Sequence, residues 1–171
     1  MSCFIFGDLE VISENQKYIK DAAAYCRQKG IYFWFNQEID YYKDIFLMLE
    51  ENASIPGSIK FGITSELQNK NSHDLLLPYD KYENSILFPE WDDKCENYSR
   101  LCKENLNIFQ EAFNYFYKTI NPIYVRVFVT EGYDQGFEVK QCDLEEMFEH
   151  LNSEALKGFF TSRIYQLNHV N

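Results

Sequence analysis

The chain has 171 residues, of which 46% are hydrophobic and 25% charged, and its formal net charge is -11. These values suit a single folded domain with one core and argue against intrinsic disorder. The 16 basic residues are scattered, so the clustered positive charge that nucleic-acid binding requires is missing. Because no run of about 18 apolar residues predicts a membrane span, and residues 1–13 carry no basic leader, we expect a cytoplasmic protein without membrane contact.

The first ninety residues predict short elements separated by turns. Each helix is suggested by apolar spacing of three and four, and each strand by branched and aromatic residues. In chain order we expect a helix opened by a capping box at Ser13 and Gln16 and ended by Gly30, a strand over 31–35, a helix over about 40–52, a strand over 59–64, and a loop over 65–91 with one short strand near 86–88.

The longest predicted element is a helix from about Asp93 to Ile120. An aromatic and apolar stripe recurs along it at intervals of three and four, which is typical of a helix packed on a core. The stripe comprises Tyr98, Leu101, Cys102, Phe109, Ala112, Phe113, Phe116 and Ile120. A cofactor groove is the alternative interpretation of such a stripe.

The last third of the chain predicts strands around a short helix. Alternating valines indicate a strand over 123–130, and Gly132 and Gly136 suggest a turn from which residues 137–141 return as a β-hairpin. Asp143 and Glu146 form a capping-box pattern that opens a helix through Leu151, followed by a strand over about 159–167. The predicted fold is therefore one α+β domain over residues 1–171, with a mixed sheet, packed helices and the long helix at about 93–120.

The sequence carries no pattern that specifies a reaction. The seven glycines form no phosphate-binding loop, and the five cysteines, odd in number and without a Cys-x-x-Cys pair, predict reduced thiols. Glu146 and His150 are spaced to share a metal ion, although a solvated helix face is the alternative explanation of that pair. Cys142 with His150 is the first nucleophile and base to test, because both flank the same short helix. We predict no catalytic residue, metal or cofactor.

Negative charge is concentrated in one segment near the end of the chain. Between Glu131 and Glu154 there are eight acidic residues and one basic residue, Lys140. One interpretation is a solvated helix face and turn. The other is a docking surface for a basic protein, with Tyr133, Phe137 and Phe148 as apolar anchors. The predicted partner-binding residues are Glu131, Tyr133, Asp134, Glu138, Glu145, Glu146, Phe148 and Glu149.

In size, acidity and aromatic content, which reaches 18%, the chain resembles bacterial toxin-immunity proteins. The resemblance lies in this overall profile and in no motif, so it assigns no residue. It implies a cytoplasmic protein that binds and neutralises a cognate toxin, often a cationic nuclease. The alternative is a small enzyme or ligand-binding domain whose pocket the sequence does not reveal.

Overall fold

The computed structural model describes residues 4–35, 58–65, 98–130, 137–157 and 161–168. Within these ranges the strands are β1 (Phe4–Glu10), β2 (Ile31–Phe35), β3 (Ile59–Ser65), β4 (Tyr124–Thr130), β5 (Glu138–Cys142) and β6 (Arg163–Asn168). The helices are a 3-10 helix (Ser13–Tyr18), α1 (Ile19–Gln28), α2 (Tyr98–Ile120) and α3 (Leu144–Lys157). The helix predicted over 40–52 and the loop over 65–91 lie outside the described residues.

The strands form one mixed sheet in the order β2-β3-β1-β4-β6-β5. Neighbouring strands are antiparallel except β5 and β6, which are parallel. The predicted α+β class with a mixed sheet is therefore confirmed. Strand β1, near the middle of the sheet, was not predicted, because Asp8 and Glu10 interrupt its apolar pattern.

The predicted hairpin between β4 and β5 is wrong. Strand β6 lies between them, with Tyr165 opposite Val127 of β4 on one side and Lys140 of β5 on the other. Six of the seven residues of β4 are buried, and the polar sequence Glu-Val-Lys-Gln-Cys of β5 does not suit a place beside such a strand. The more apolar β6 takes that position and leaves β5 at the edge.

The three α-helices pack on one face of the sheet. Residues Phe109, Phe113 and Phe116 of α2 are at most 1% exposed, and the Phe116 ring stacks on Phe33 of β2 at a centroid distance of 4.2 Å. The predicted core stripe is thus confirmed at residues 109–120, while the side chains of Tyr98, Leu101 and Cys102 lie outside the described part. None of the described helices has the combined length and apolar character needed to cross a membrane.

The helix boundaries follow local signals only in part. Ser13 does not cap α1, because a 3-10 helix starts there without a side-chain cap and α1 begins at Ile19. Gly30 does end α1 and has a positive φ of 84°, which favours glycine. Helix α3 has the predicted capping box but continues to Lys157, beyond the expected end at Leu151.

The opposite face of the sheet contains a buried ion pair. Asp8 of β1 lies directly across from Arg126 of β4. The Arg126 guanidinium donates from Nε to Oδ1 at 2.7 Å and from Nη2 to Oδ2 at 2.5 Å. Asp8 is fully buried, so this bidentate contact compensates a carboxylate that water does not reach.

Candidate partner-binding surface

Helix α3 has one buried side and one acidic side. Met147, Phe148, Leu151 and Ala155 recur at helical spacing and are at most 3% exposed. The opposite side exposes acidic residues, and these are Asp143 just before the helix and Glu145, Glu146 and Glu149 within it. The helix therefore holds this acidic face towards solvent by burying its apolar face on the core.

Phe148 is not available as an anchor for a partner. Its ring is 1% exposed and lies 5.3 Å from the ring of Phe109, measured between centroids. Phe137 is half-buried, with edge contacts to Phe6 and Phe128 on the far face of the sheet. The prediction that Phe148 serves as an interface anchor is therefore wrong, because the ring fills the core between α2 and α3.

Arg163 at the start of β6 forms ion pairs with two of the acidic residues. Its Nη1 donates to Glu154 of α3 at 3.2 Å, and its Nη2 donates to Glu138 of β5 at 3.0 Å. Glu154 is only 5% exposed, so its charge belongs to this internal network. Arg163 thereby ties α3 to β5 and lowers the charge that the acidic segment presents to solvent.

His150 belongs to the same network. Its Nδ1 lies 2.6 Å from the Tyr165 hydroxyl, and Nη1 of Arg163 lies 3.0 Å from Nδ1 and 2.9 Å from Nε2. One atom cannot be that close to both ring nitrogens within the ring plane without overlapping the carbon between them. Nη1 of Arg163 therefore lies above the plane of the imidazole ring.

The side chains of Asp143 and Glu146 are exposed, but each accepts a hydrogen bond at the start of α3. The main-chain N–H of Glu146 donates to Oδ1 of Asp143 at 2.8 Å, and the N–H of Asp143 donates to Oε2 of Glu146 at 2.9 Å. This reciprocal contact is the predicted capping box, and it starts α3. Both carboxylates have a folding role apart from any partner.

Glu145 and Glu149 are the acidic residues of α3 that the fold does not use. Both are exposed, and neither forms an ion pair or a side-chain hydrogen bond with a described residue. They are four residues apart, where like charges destabilise a helix by about 0.2–0.5 kcal/mol. Glu145 lies in the first turn, where the helix dipole favours an acid, but Glu149 lies beyond it.

Strand β5 precedes α3 in the chain and has three exposed residues. Glu138, Val139 and Gln141 are exposed, Val139 to 57%. The strand ends at Cys142, and α3 begins two residues later at Leu144. We define the acidic edge as the exposed acidic residues Glu138 of β5 and Glu145 and Glu149 of α3.

The structure exposes some of the predicted partner-binding residues. Glu138, Glu145, Glu146 and Glu149 are exposed around α3 and β5, whereas Glu131, Tyr133 and Asp134 lie outside the described residues. The sequence interpretation missed Arg163, because a lone arginine in a predicted strand carries no local sign of its partners. The burial of Phe148 had a signal, since Leu144, Met147, Phe148 and Leu151 follow helical core spacing.

The described residues give no support to a metal site at Glu146 and His150 or to a nucleophile and base at Cys142 and His150. The Glu146 carboxylate accepts from the Asp143 N–H, and the described residues contain no group of three ligands able to hold a metal ion. Burial, with the nearby charge of Glu146, raises the pKa of the Cys142 thiol to about 11. A thiol that keeps its proton at neutral pH is a poor nucleophile.

The buried thiols give a test of the core. Burial also raises the pKa of Cys26 to about 12, and its Sγ–H donates to the Ala112 carbonyl at 3.2 Å. We expect both thiols to react with an alkylating reagent at pH 8 at least about a hundredfold more slowly in the folded than in the unfolded protein. Mass spectrometry of labelled peptides measures the two rates, and rapid labelling of native Cys142 would contradict its burial.

The same shifts set a direction for pH dependence. A folded thiol with a raised pKa keeps its proton when the unfolded thiol, with a pKa of about 8.5, has lost it. The contribution of the protonated Cys142 thiol to the free energy of unfolding is therefore fully present below about pH 8.5 and is lost as the pH rises towards 11. Denaturation by urea at increasing alkaline pH measures this loss, and Cys26→Ser with Cys142→Ser should reduce the slope.

Comparison with known proteins gives no family assignment. The chain matches no protein-family model, no curated protein and no solved structure.

Proposed function

We propose that this protein binds a basic protein partner through the acidic edge and thereby blocks it. The observation that carries the proposal is the exposed pair Glu145 and Glu149, which the described residues leave without a cation although α3 would be more stable without their repulsion. A surface of this sign attracts cationic proteins and repels phosphate backbones.

The finer proposal is that the partner is a toxin and that the protein is its cytoplasmic immunity protein. Its support is the overall profile of 171 residues, net charge -11 and 18% aromatic residues, in which the chain resembles bacterial immunity proteins. A cationic nuclease is the toxin class that best fits the charge, because an acidic inhibitor competes with nucleic acid for the same basic groove.

Reversing the charges of Glu145 and Glu149 should slow association with the partner. In the double variant Glu145→Lys with Glu149→Lys, we expect the association rate constant to fall about tenfold or more at low salt. The difference from wild type should shrink as salt is added, because screening limits the field to about 10 Å at 0.1 M. Stopped-flow mixing with the purified partner, identified first by co-purification from the native host, measures these rates.

The structure supplies a matched control. Glu14 and Asp21 are also exposed acids in the first turns of helical segments, so Glu14→Lys with Asp21→Lys makes the same change in net charge. Glu146 is left intact in both variants because its substitution would remove the α3 cap. Equal rates and salt dependence for the two double variants would show that the acidic edge is only a solvated surface.

A further inference from the structure

Four titratable side chains meet between α3 and β6, and these are His150, Glu154, Arg163 and Tyr165. Tyr165 is fully buried, and burial raises the pKa of its hydroxyl, so the hydroxyl keeps its proton. The acceptor within reach of that proton among the described residues is Nδ1 of His150, 2.6 Å from the hydroxyl oxygen. This hydrogen bond requires Nδ1 to be unprotonated.

Arg163 lies against the ring of the same histidine. Its Nη1 is 3.0 Å from Nδ1 and 2.9 Å from Nε2 of His150, and it donates to Oε1 of Glu154 at 3.2 Å. A neutral aromatic ring tolerates a cation over its face. A protonated imidazole would place a second positive charge directly beside the guanidinium, and the two cations would repel each other.

Glu154 offers a protonated His150 an alternative partner. The carboxylate is 5% exposed, and its Oε1 accepts from Arg163, whereas Oε2 has no hydrogen-bond donor within the described part of the chain. His150 precedes Glu154 by four residues on α3, and side chains at this spacing are neighbours on a helix surface. His150 is half-buried, so protons from solvent reach it.

The other charged groups of the described residues near this cluster lie on β5 and at the start of α3. They are Glu138, which accepts from Nη2 of Arg163 at 3.0 Å, Lys140, which lies opposite Tyr165, and Glu146, which accepts the capping hydrogen bond one turn before His150. Glu138 therefore remains as an acid for Arg163 when Glu154 is lost, and Glu146 is already engaged.

We propose that His150 is a proton-operated switch that, once protonated, takes Glu154 from Arg163 and replaces an ion pair between α3 and β6 with one inside α3. Histidine ordinarily changes charge near pH 6.5, so the switch operates between about pH 7 and about pH 5.5. The Tyr165 hydroxyl loses its acceptor in the same step, which weakens the contact between α3 and β6 further. This inference involves no partner, so it stands or falls separately from the proposed function.

NMR of the full-length wild-type protein labelled with ¹⁵N tests the exchange of ion pairs. We expect both ring nitrogens of His150 to be protonated by about pH 5.5, and the Nε–H signal of Arg163 to shift along the same titration curve. Amide exchange, corrected for its intrinsic pH dependence, should show about tenfold less protection at residues 163–167 at about pH 5.5 than at about pH 7.

Two sets of substitutions identify the group that titrates. His150→Asn keeps a side-chain acceptor but gains no proton in this range, so protection at residues 163–167 should be equal at the two pH values. The chain has three histidines, and the double variant His73→Asn with His169→Asn leaves His150 as the one that titrates. This double variant should keep the pH dependence of the wild type.

Protonation of His150 without a shift of Arg163 or a loss of protection would overturn the switch. A His150 that stays neutral down to about pH 5 would also overturn it, because the exchange would then not operate in the range where histidine ordinarily titrates. An equal loss of protection in His150→Asn would assign the pH dependence to other groups and reject the proposal. If His150→Asn does not fold, the wild-type titration and the double variant decide the question.

Discussion

Replacing Asp8 with alanine is expected to lower the free energy of unfolding by about 3–5 kcal/mol. The carboxylate is fully buried and accepts from both Nε and Nη2 of Arg126, so its loss removes two charge-assisted contacts from a guanidinium that stays charged. Arginine stays protonated even when it is buried, so Arg126 does not relieve the loss by giving up its proton. Urea denaturation followed by circular dichroism measures the change.

Two further variants test whether the cost comes from the Arg126 charge that has lost Asp8. Glu10→Ala removes an exposed acid from the same strand and should change stability by less than about 0.5 kcal/mol. The double variant Asp8→Leu with Arg126→Met removes both charges and should recover most of the loss, because apolar replacement of a complete buried ion pair is often close to neutral. A loss below about 1 kcal/mol for Asp8→Ala alone would mean that Arg126 reaches water when its partner is removed.

The same ion pair explains why β1 could not be predicted. Asp8 and Glu10 interrupt the apolar run of residues 4–11, and a central strand is expected to be almost continuously apolar. The partner that makes Asp8 tolerable is Arg126, 118 residues later in the chain. No local pattern contains that information.

Elements with strong local signals were predicted correctly. The apolar positions of α2 continue over many turns, so residues 106–120 form a helix with the expected buried face. The reciprocal hydrogen bonds of Asp143 and Glu146 follow from their spacing alone. Strand order has no such local signal, since the position of β6 between β4 and β5 depends on how apolar each strand is relative to the others.

The candidate site was predicted as a segment, and its organisation depends on tertiary contacts. Local charge counting identified the acidic residues between 131 and 154 but gave them equal weight. Glu154 is buried and paired with Arg163, and the Glu146 carboxylate accepts the capping hydrogen bond from Asp143. Glu145 and Glu149 have no partner among the described residues. Only the folded arrangement separates charges that serve the fold from charges that remain exposed.

Truncating Phe113 to alanine should also destabilise the protein by about 3–5 kcal/mol, with a fall of roughly 10 °C or more in Tm. Phe113 is fully buried in α2, with ring contacts to Phe33 of β2 at 6.2 Å and to Phe148 of α3 at 6.2 Å between centroids. Its removal therefore leaves a cavity at the point where α2 contacts both the sheet and α3. Differential scanning calorimetry measures the shift.

Tyr115 provides the matched control on the same helix. It is 41% exposed and stacks on Tyr25 at a centroid distance of 3.7 Å, so Tyr115→Ala should cost only about 1 kcal/mol. The effect of Phe113→Ala should also extend to the acidic edge, because α3 is held by the same core. Faster amide exchange in α3 of Phe113→Ala than of Tyr115→Ala would support that link. Equal stability losses for the two variants would mean that α2 does not pack between the sheet and α3 through Phe113.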